Sequence, residues 1–283
     1  CYGTEDIPNI YKLQNDMDAK TLSVFLSNGE MSKGSDDENK DGVPIALAMK
    51  LSPTEYFERF NKLLIDNPSY PEDNKLLMEF ADLGIGAGLC FSPSLSSEDL
   101  ESFWCEMKKL LIPKLTKETL GFMVKNGNFK FYGHPISHFG KEYGYRCLIA
   151  IAGFGANPVE TAVYLKAEDD DSGDKLSAKN KYLLHFMPNS LPPVGEHGFW
   201  SVTAYGDDNF LISNPLNRYA ISNRSNFKLN EDNSLDLILQ TEEPNDNKGN
   251  WLPVGNGGFH LFLRIYRPDN SVLNGIWEAP KIT

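Results

Sequence analysis

The sequence predicts an α+β chain of more than one domain, a small all-α helical bundle followed by an antiparallel β-sandwich. Three observations predict it. Between Leu51 and Leu111 apolar side chains recur at helical spacing, with capping and breaking residues at the ends of each run. After about Ala156 the apolar runs shorten, alternate with polar residues and are punctuated by Gly, Asn, Asp and Pro, as in an antiparallel sheet. The chain of 283 residues also exceeds what one hydrophobic core usually spans. The domain limits read from this texture are a linker over 1–42, a helical domain over 43–156 and a sandwich over 157–283.

Taken in order, "SNGEMSKGSDDENKDG" (27–42) lacks β-branched or aromatic anchors and reads as a mobile linker. In "LSPTEYFERFNKLLIDNP", Ser52 is predicted as N-cap, Pro53 as the first helical residue and Glu55 as the capping-box partner. Tyr56, Phe60, Leu63 and Leu64 form its apolar stripe, and Pro68 stops it. "PEDNKLLMEFADLG" places Leu76, Leu77, Phe80 and Leu83 on one face, with Gly84 as a left-handed cap. "SSEDLESFWCEMKKLL" aligns Leu100, Phe103, Trp104, Met107, Leu110 and Leu111, and its end is expected before Pro113. "KEYGYRCLIAIAGFG" is apolar on nearly every side and predicts a central helix, in which Arg146 needs a carboxylate or carbonyl partner. Strands are expected at 162–165, 182–186, 199–205, 209–213, 219–222, 235–240 and 259–266.

Charge and composition exclude several functions. A net charge of -12 repels phosphate backbones, so nucleic acid is not an expected partner. No apolar run approaches the ~18 residues of a spanning helix, and membrane insertion is not expected. The four cysteines, Cys1, Cys90, Cys105 and Cys147, form no C-x-x-C pair, which speaks against a zinc knuckle or dithiol redox motif. They read as structural or incidental thiols, with a disulfide open as an alternative in an oxidising compartment.

No cofactor or metal is called for. The acidic run "EDDDSGDK" lacks EF-hand spacing and its terminal glutamate, and it reads as a solvated turn. His134 and His138 are four apart, but Pro135 argues against the helix that would align them. His185, His197 and His260 have no clustered third ligand in sequence. The G-x-G triplets of "GIGAGLCF" and "GFGAN" end helices rather than opening one after a strand, so a dinucleotide site is not indicated. No G-x-S-x-G elbow is present.

The segments "GFGANPVETAVY", "KYLLHF", "LPPVGEHGFWSVTAY", "NPLNRYAI", "NSLDLILQTEEP", "NWLPV", "FHLFLRIYRP" and "LNGIWEAP" occur in the order seen in one family. Over roughly 140–280 the chain resembles the domain-of-unknown-function 1214 family. Upstream, "TEDIPNIYKLQNDM", "LSPTEYFERFNKLL" and "ADLGIGAGLCF" resemble the middle and end of the companion 1254 domain. The resemblance implies that the sandwich is of jelly-roll type. It also implies that an amino-terminal β domain of the same gene product precedes this part, which favours a fragment start over a lipidated residue for Cys1. Extracytoplasmic location is implied likewise, whereas activity is not.

Two constellations could carry recognition. "SNPLNRY" brings Asn217, Arg218 and Tyr219 to one end of the sandwich, where a guanidinium fork, an amide and a phenol can bind sugar hydroxyls or a carboxylate. The same residues can instead cap turns and form an ion pair within the fold. "NWLPVGNGGFHLFLRIYRP" offers Asn250, Trp251, Arg264 and Tyr266, and alternation in "HLFLRIY" sets His260, Phe262, Arg264 and Tyr266 on the face opposite Leu261, Leu263 and Ile265. "FWSVTAY" alternates too, placing Tyr205 with Phe199, Ser201 and Thr203, and Trp200 with the core set.

The candidate ligand-binding residues are therefore Tyr205, Asn217, Arg218, Tyr219, Trp251, Arg264, Tyr266 and Arg146. The first expectation is a module binding a small polar ligand or glycan. The alternative is a hydrolase sited between bundle and sandwich, with Arg146 or Arg218 stabilising negative charge and Glu160, Glu196, Asp207 or Asp208 as acid or base. A third is a structural or assembly protein, and a homo-oligomer is compatible with each.

Overall fold

The computed structural model describes residues 7–17 and 44–283. Cys1 and residues 18–43 of the expected linker lie outside the described residues. Within that linker stretch a helix, α1 (Ile7–Asp16), is formed. Helices precede a sheet-rich region of almost wholly antiparallel strands, the α+β layout the sequence predicts. The chain divides into two compact units, residues 1–108 and 109–283, and each is described by itself.

In the first unit α2 (Pro44–Ala48) precedes α3 (Pro53–Asp66). The start of α3 is dictated by chemistry: Ser52 accepts from the Glu55 amide, the Glu55 carboxylate accepts from the Ser52 amide, and Pro53 supplies a fixed φ where no N–H is needed. Tyr56 and Leu63 of the expected stripe are exposed. The face that packs turns instead on Phe57, stacked on Phe91 at 4.6 Å and against Trp104 at 5.7 Å, and on Asn61.

Asn61 is 1% exposed and fully bonded, donating to the Gly84 and Leu89 carbonyls and accepting from the Gly86 amide. A buried amide thus pins the turn that follows α4 (Asn74–Glu79). Gly84 closes that stretch with φ 70°, the left-handed cap the sequence predicts.

The third predicted helix does not stop at Pro113. α5 runs from Ser97 to Thr119 with Pro113 inside it, and it crosses the division between the units. Proline removes one backbone donor but leaves the rest of the ladder, and the Thr119 hydroxyl donates to the Leu115 carbonyl in the last turn. Phe103 and Leu110, expected on the packing face, are exposed at 63% each, whereas Trp104 is buried and donates its indole N–H to the Leu51 carbonyl.

In the second unit, β1 (Met123–Asn126) and β2 (Phe129–Tyr132) form a hairpin within the stretch the sequence analysis assigned to helices. α6 (Tyr143–Ala152) follows, then β3 (Ala162–Ala167), β4 (Tyr182–Phe186), β5 (Val194–Gly206), β6 (Ala220–Ser222), β7 (Leu235–Gln240), β8 (Trp251–Pro253) and β9 (Phe259–Pro268). A short α7 (Asn270–Leu273) and β10 (Lys281–Ile282) complete the chain. One sheet has the order β1-β2-β3-β9-β5-β6 and the other β10-β4-β7-β8. All pairings are antiparallel except β7 with β8, which is parallel.

One apolar cluster fills the space between the sheets. Val163, Leu165, Trp200, Val202, Leu261, Leu263 and Ile265 come from the first, and Leu184, Phe186, Leu237, Leu239 and Leu252 from the second. Trp200, 1% exposed, belongs to this core as its alternation predicts. The strand expected at 209–213 is not formed. Asp208 accepts from the Phe210 amide, Asn209 adopts φ 62°, and only a single bridge links Leu211 to Tyr205.

Candidate functional site

Period-two alternation leaves the outer face of the first sheet with a set of rings and cations. Register defines its rows. Ala162, Tyr266 and Phe199 are opposed in one row; Tyr164, Arg264, Ser201 and Ser222 form the next. Lys166, Phe262, Thr203 and Ala220 form a third, and His260 opposes Tyr205 in a fourth.

The rings contact one another across strands. Phe199 stacks on Tyr266 at 4.4 Å between centroids, and Tyr266 meets Tyr164 edge-on at 6.1 Å. The Arg264 Nη2 donates to the Tyr205 hydroxyl at 2.9 Å, and the guanidinium lies over the Phe262 ring at 4.9 Å and the Tyr205 ring at 5.3 Å. Arg224 caps the same face over Phe199 at 4.4 Å. Cation–π contacts of this kind hold a guanidinium without spending its charge on a carboxylate, and among the described residues Arg264 has no carboxylate partner. Tyr164, Tyr205, Phe262, Arg264 and Tyr266 are all partly exposed.

Burial pushes the Tyr266 phenol up, with Tyr164 adding to it and Arg264 opposing it. His260, 7% exposed, is held below the ordinary histidine range by burial and then by Lys166, while Glu168 and Asp207 pull the other way. Its Nε2 is buried with no hydrogen-bond partner among the described residues. Glu168 is held low mainly by the hydrogen bond from Lys166 at 2.8 Å.

Of the candidates, Tyr205, Arg264 and Tyr266 are brought together on this face. The others lie elsewhere. Arg218 Nη1 donates to the carbonyl oxygens of Lys248 and Trp251, at 2.5 and 2.9 Å, so its fork ties two loops of its own fold rather than a carboxylate. Asn214 accepts from the Arg218 amide and donates to its carbonyl, which makes "NPLNR" a turn held by side-chain amides.

Asn217 adopts φ 49° and accepts from the Tyr219 hydroxyl at 3.3 Å. Trp251 is 5% exposed and donates its indole N–H to the Gln240 carbonyl, so its ring surface is taken up by the core. Arg146 lies over the Tyr143 ring at 5.0 Å on α6. Phe199 and Phe262 lie on the faces that alternation assigned to Tyr205 and Arg264 without being candidates themselves, and Tyr164 was not placed; the same alternation along β3 is the signal for it.

Among the carboxylates, Glu160 pairs with His134 at 3.2 Å and Glu196 with the adjacent His197 at 3.5 Å. Asp207 and Asp208 line a shallow groove of about 500 Å³ formed by residues 206–208, 210–213 and 254–258, which none of the ligand candidates lines. Among the described residues the carboxyl groups that are shifted, Glu55, Glu168, Asp232 and Asp269, are all held low by hydrogen bonds, the direction opposite to a general acid. Among the described residues no three of His, Cys, Asp or Glu are grouped to hold a metal ion. No described helix is long and apolar enough to cross a membrane.

The comparisons with known proteins fit this architecture. Residues 161–270 match the family described as protein of unknown function, DUF1214. That DUF1214 domain spans β3 to the start of α7 and so contains every strand of the aromatic face except β1 and β2. The crystal structure of the VPA0106 protein from Vibrio parahaemolyticus is similar, with a TM-score of 0.69 and 24% identity over 99% of this chain. The chain spans 65% of the length of that protein. The likeness carries the fold alone. An uncharacterised protein from Burkholderia cenocepacia is matched at a TM-score of 0.33 and 13% identity, covering 68% of this chain and 42% of that one. No curated protein matches the sequence.

Proposed function

We propose that the second unit is a recognition module whose outer sheet face binds a polar, ring-shaped ligand, with carbohydrate as the class that fits best. The observation that carries this reading is Arg264, held between the Tyr205 hydroxyl and the Phe262 ring with no carboxylate of its own fold among the described residues. Partly exposed rings beside a cation and hydroxyl groups offer flat apolar contact together with directional bonds, as sugar recognition requires. Tyr205, Arg264 and Tyr266 are the principal ligand residues in this reading, with Phe199 and Tyr164 completing the ring surface.

The helical residues upstream belong, in the same reading, to the companion 1254 domain, and the sandwich to the jelly-roll type. A glycan array probed with the wild-type chain and with R264A/Y266A tests the function. Binding to at least one glycan class that is lost in the double variant supports it. No glycan bound, or binding unaltered by the double variant, overturns it.

A further inference from the structure

The ligand face continues beyond its rings into a row of lysines. Lys125 on β1 opposes Lys130 on β2, Lys130 opposes Lys166 on β3, and Lys166 opposes Phe262 on β9. Residues directly opposite in register share a face, so three lysines stand in one row on adjacent strands, whose backbones are roughly 4.8 Å apart, and the row leads into the aromatic set. On β2 the flanking Phe129 and Phe131 are buried in the core, which leaves Lys130 on the outer face. Lys166 is bonded to Glu168 at 2.8 Å. Lys125 and Lys130 form no ion pair among the described residues.

Like charges directly opposite in a sheet oppose folding. Such a row is unexpected in a chain of net charge -12, where carboxylates are plentiful enough to pair every lysine. The overall negative field is screened over ~8 Å at physiological salt, so at contact range a ligand meets the lysines and not the net charge.

We infer that the ligand is an acidic glycan, a chain of uronate-type sugars whose carboxylates lie along Lys125, Lys130 and Lys166 while its rings stack toward Phe262, Tyr164 and Tyr266. This rests on the reading of the outer face as a carbohydrate site. A neutral glycan would leave Lys125 and Lys130 uncompensated, and a nucleic acid strand, whose bases also stack on aromatic rings, is separated from a glycan by the oligonucleotide arm of the test.

The test is calorimetric titration with hexagalacturonate, the uncharged galactose hexamer and a thymidine oligonucleotide of equal charge. Hexagalacturonate is expected to bind at least about tenfold more tightly than either other probe, with an affinity that falls as salt rises. K125Q/K130Q is expected to weaken it about tenfold while raising Tm by about 2 °C, because removing opposed like charges relieves the sheet. A row that is merely structural would lower Tm and leave affinity unchanged, which overturns the inference.

Equal binding of charged and neutral hexamers overturns the acidic preference and leaves the carbohydrate reading standing. Equal binding of the oligonucleotide shows a general polyanion surface and overturns the glycan. Failure to bind hexagalacturonate overturns this inference, while the glycan array decides the carbohydrate reading separately.

Discussion

Arg264 and Tyr205, 59 residues apart in sequence, are joined by a hydrogen bond of 2.9 Å across β9 and β5, and the guanidinium that makes it also covers the Phe262 ring. The phenol hydroxyl therefore sets the plane of the guanidinium fork. Y205F keeps the ring and removes the acceptor. It should weaken ligand binding several-fold in titration calorimetry and change unfolding free energy by less than about 1 kcal/mol, because the bond is partly exposed. Unchanged affinity would show that Arg264 does not need this partner.

Asn250 holds the segment leading into β8 by accepting from the Lys228 amide and donating to the Lys228 and Asp236 carbonyls, at 1% exposure. N250A leaves three part-buried backbone groups without their partner, and N250D removes both donors. Either should cost about 2–4 kcal/mol in urea unfolding. A loss below about 1 kcal/mol would mean that water replaces the amide.

Histidine 260 predicts a pH dependence. Its folded value is lowered from 6.5, first by burial, so the unfolded chain takes up the proton more readily. Its contribution to stability is complete above about pH 6.5 and declines as pH falls through the lowered value. Glu168, also held low, adds its loss only at more acidic pH. Urea midpoints should drop between pH 7.5 and 5.5 in the wild-type chain and change less in H260Q. Equal drops in both would assign the effect to another group.

Much of this is legible in the sequence. The strands Tyr182–Phe186 and Leu235–Gln240 have the bounds their alternation predicts, because each buries every second residue against the facing sheet. The outer face followed from the same period in "FWSVTAY" and "HLFLRIY". The hairpin of β1 and β2 was missed because four-residue strands directly after a long helix carry too few residues to show a period.

Arg218 was misleading for a different reason. Its acceptors are backbone carbonyls 30 and 33 residues away, and no side-chain pattern marks a carbonyl that lacks a partner. Trp251 looked like a surface ring because the three residues of β8 pair parallel to β7, and that pairing has no local signature in sequence. The lysine row was equally hidden: Lys125, Lys130 and Lys166 become neighbours only once two strand registers are known.

The central claim is that the outer sheet face, and not the Arg218 loop, is the ligand site. Calorimetric titration of one bound oligosaccharide into R264A and R218A compares the two arginines directly. The account predicts that R264A binds at least about tenfold more weakly, a loss of ~1.4 kcal/mol or more, while R218A stays within about twofold of wild type and loses folding stability instead. Full affinity in R264A, or its loss in a folded R218A, would contradict it.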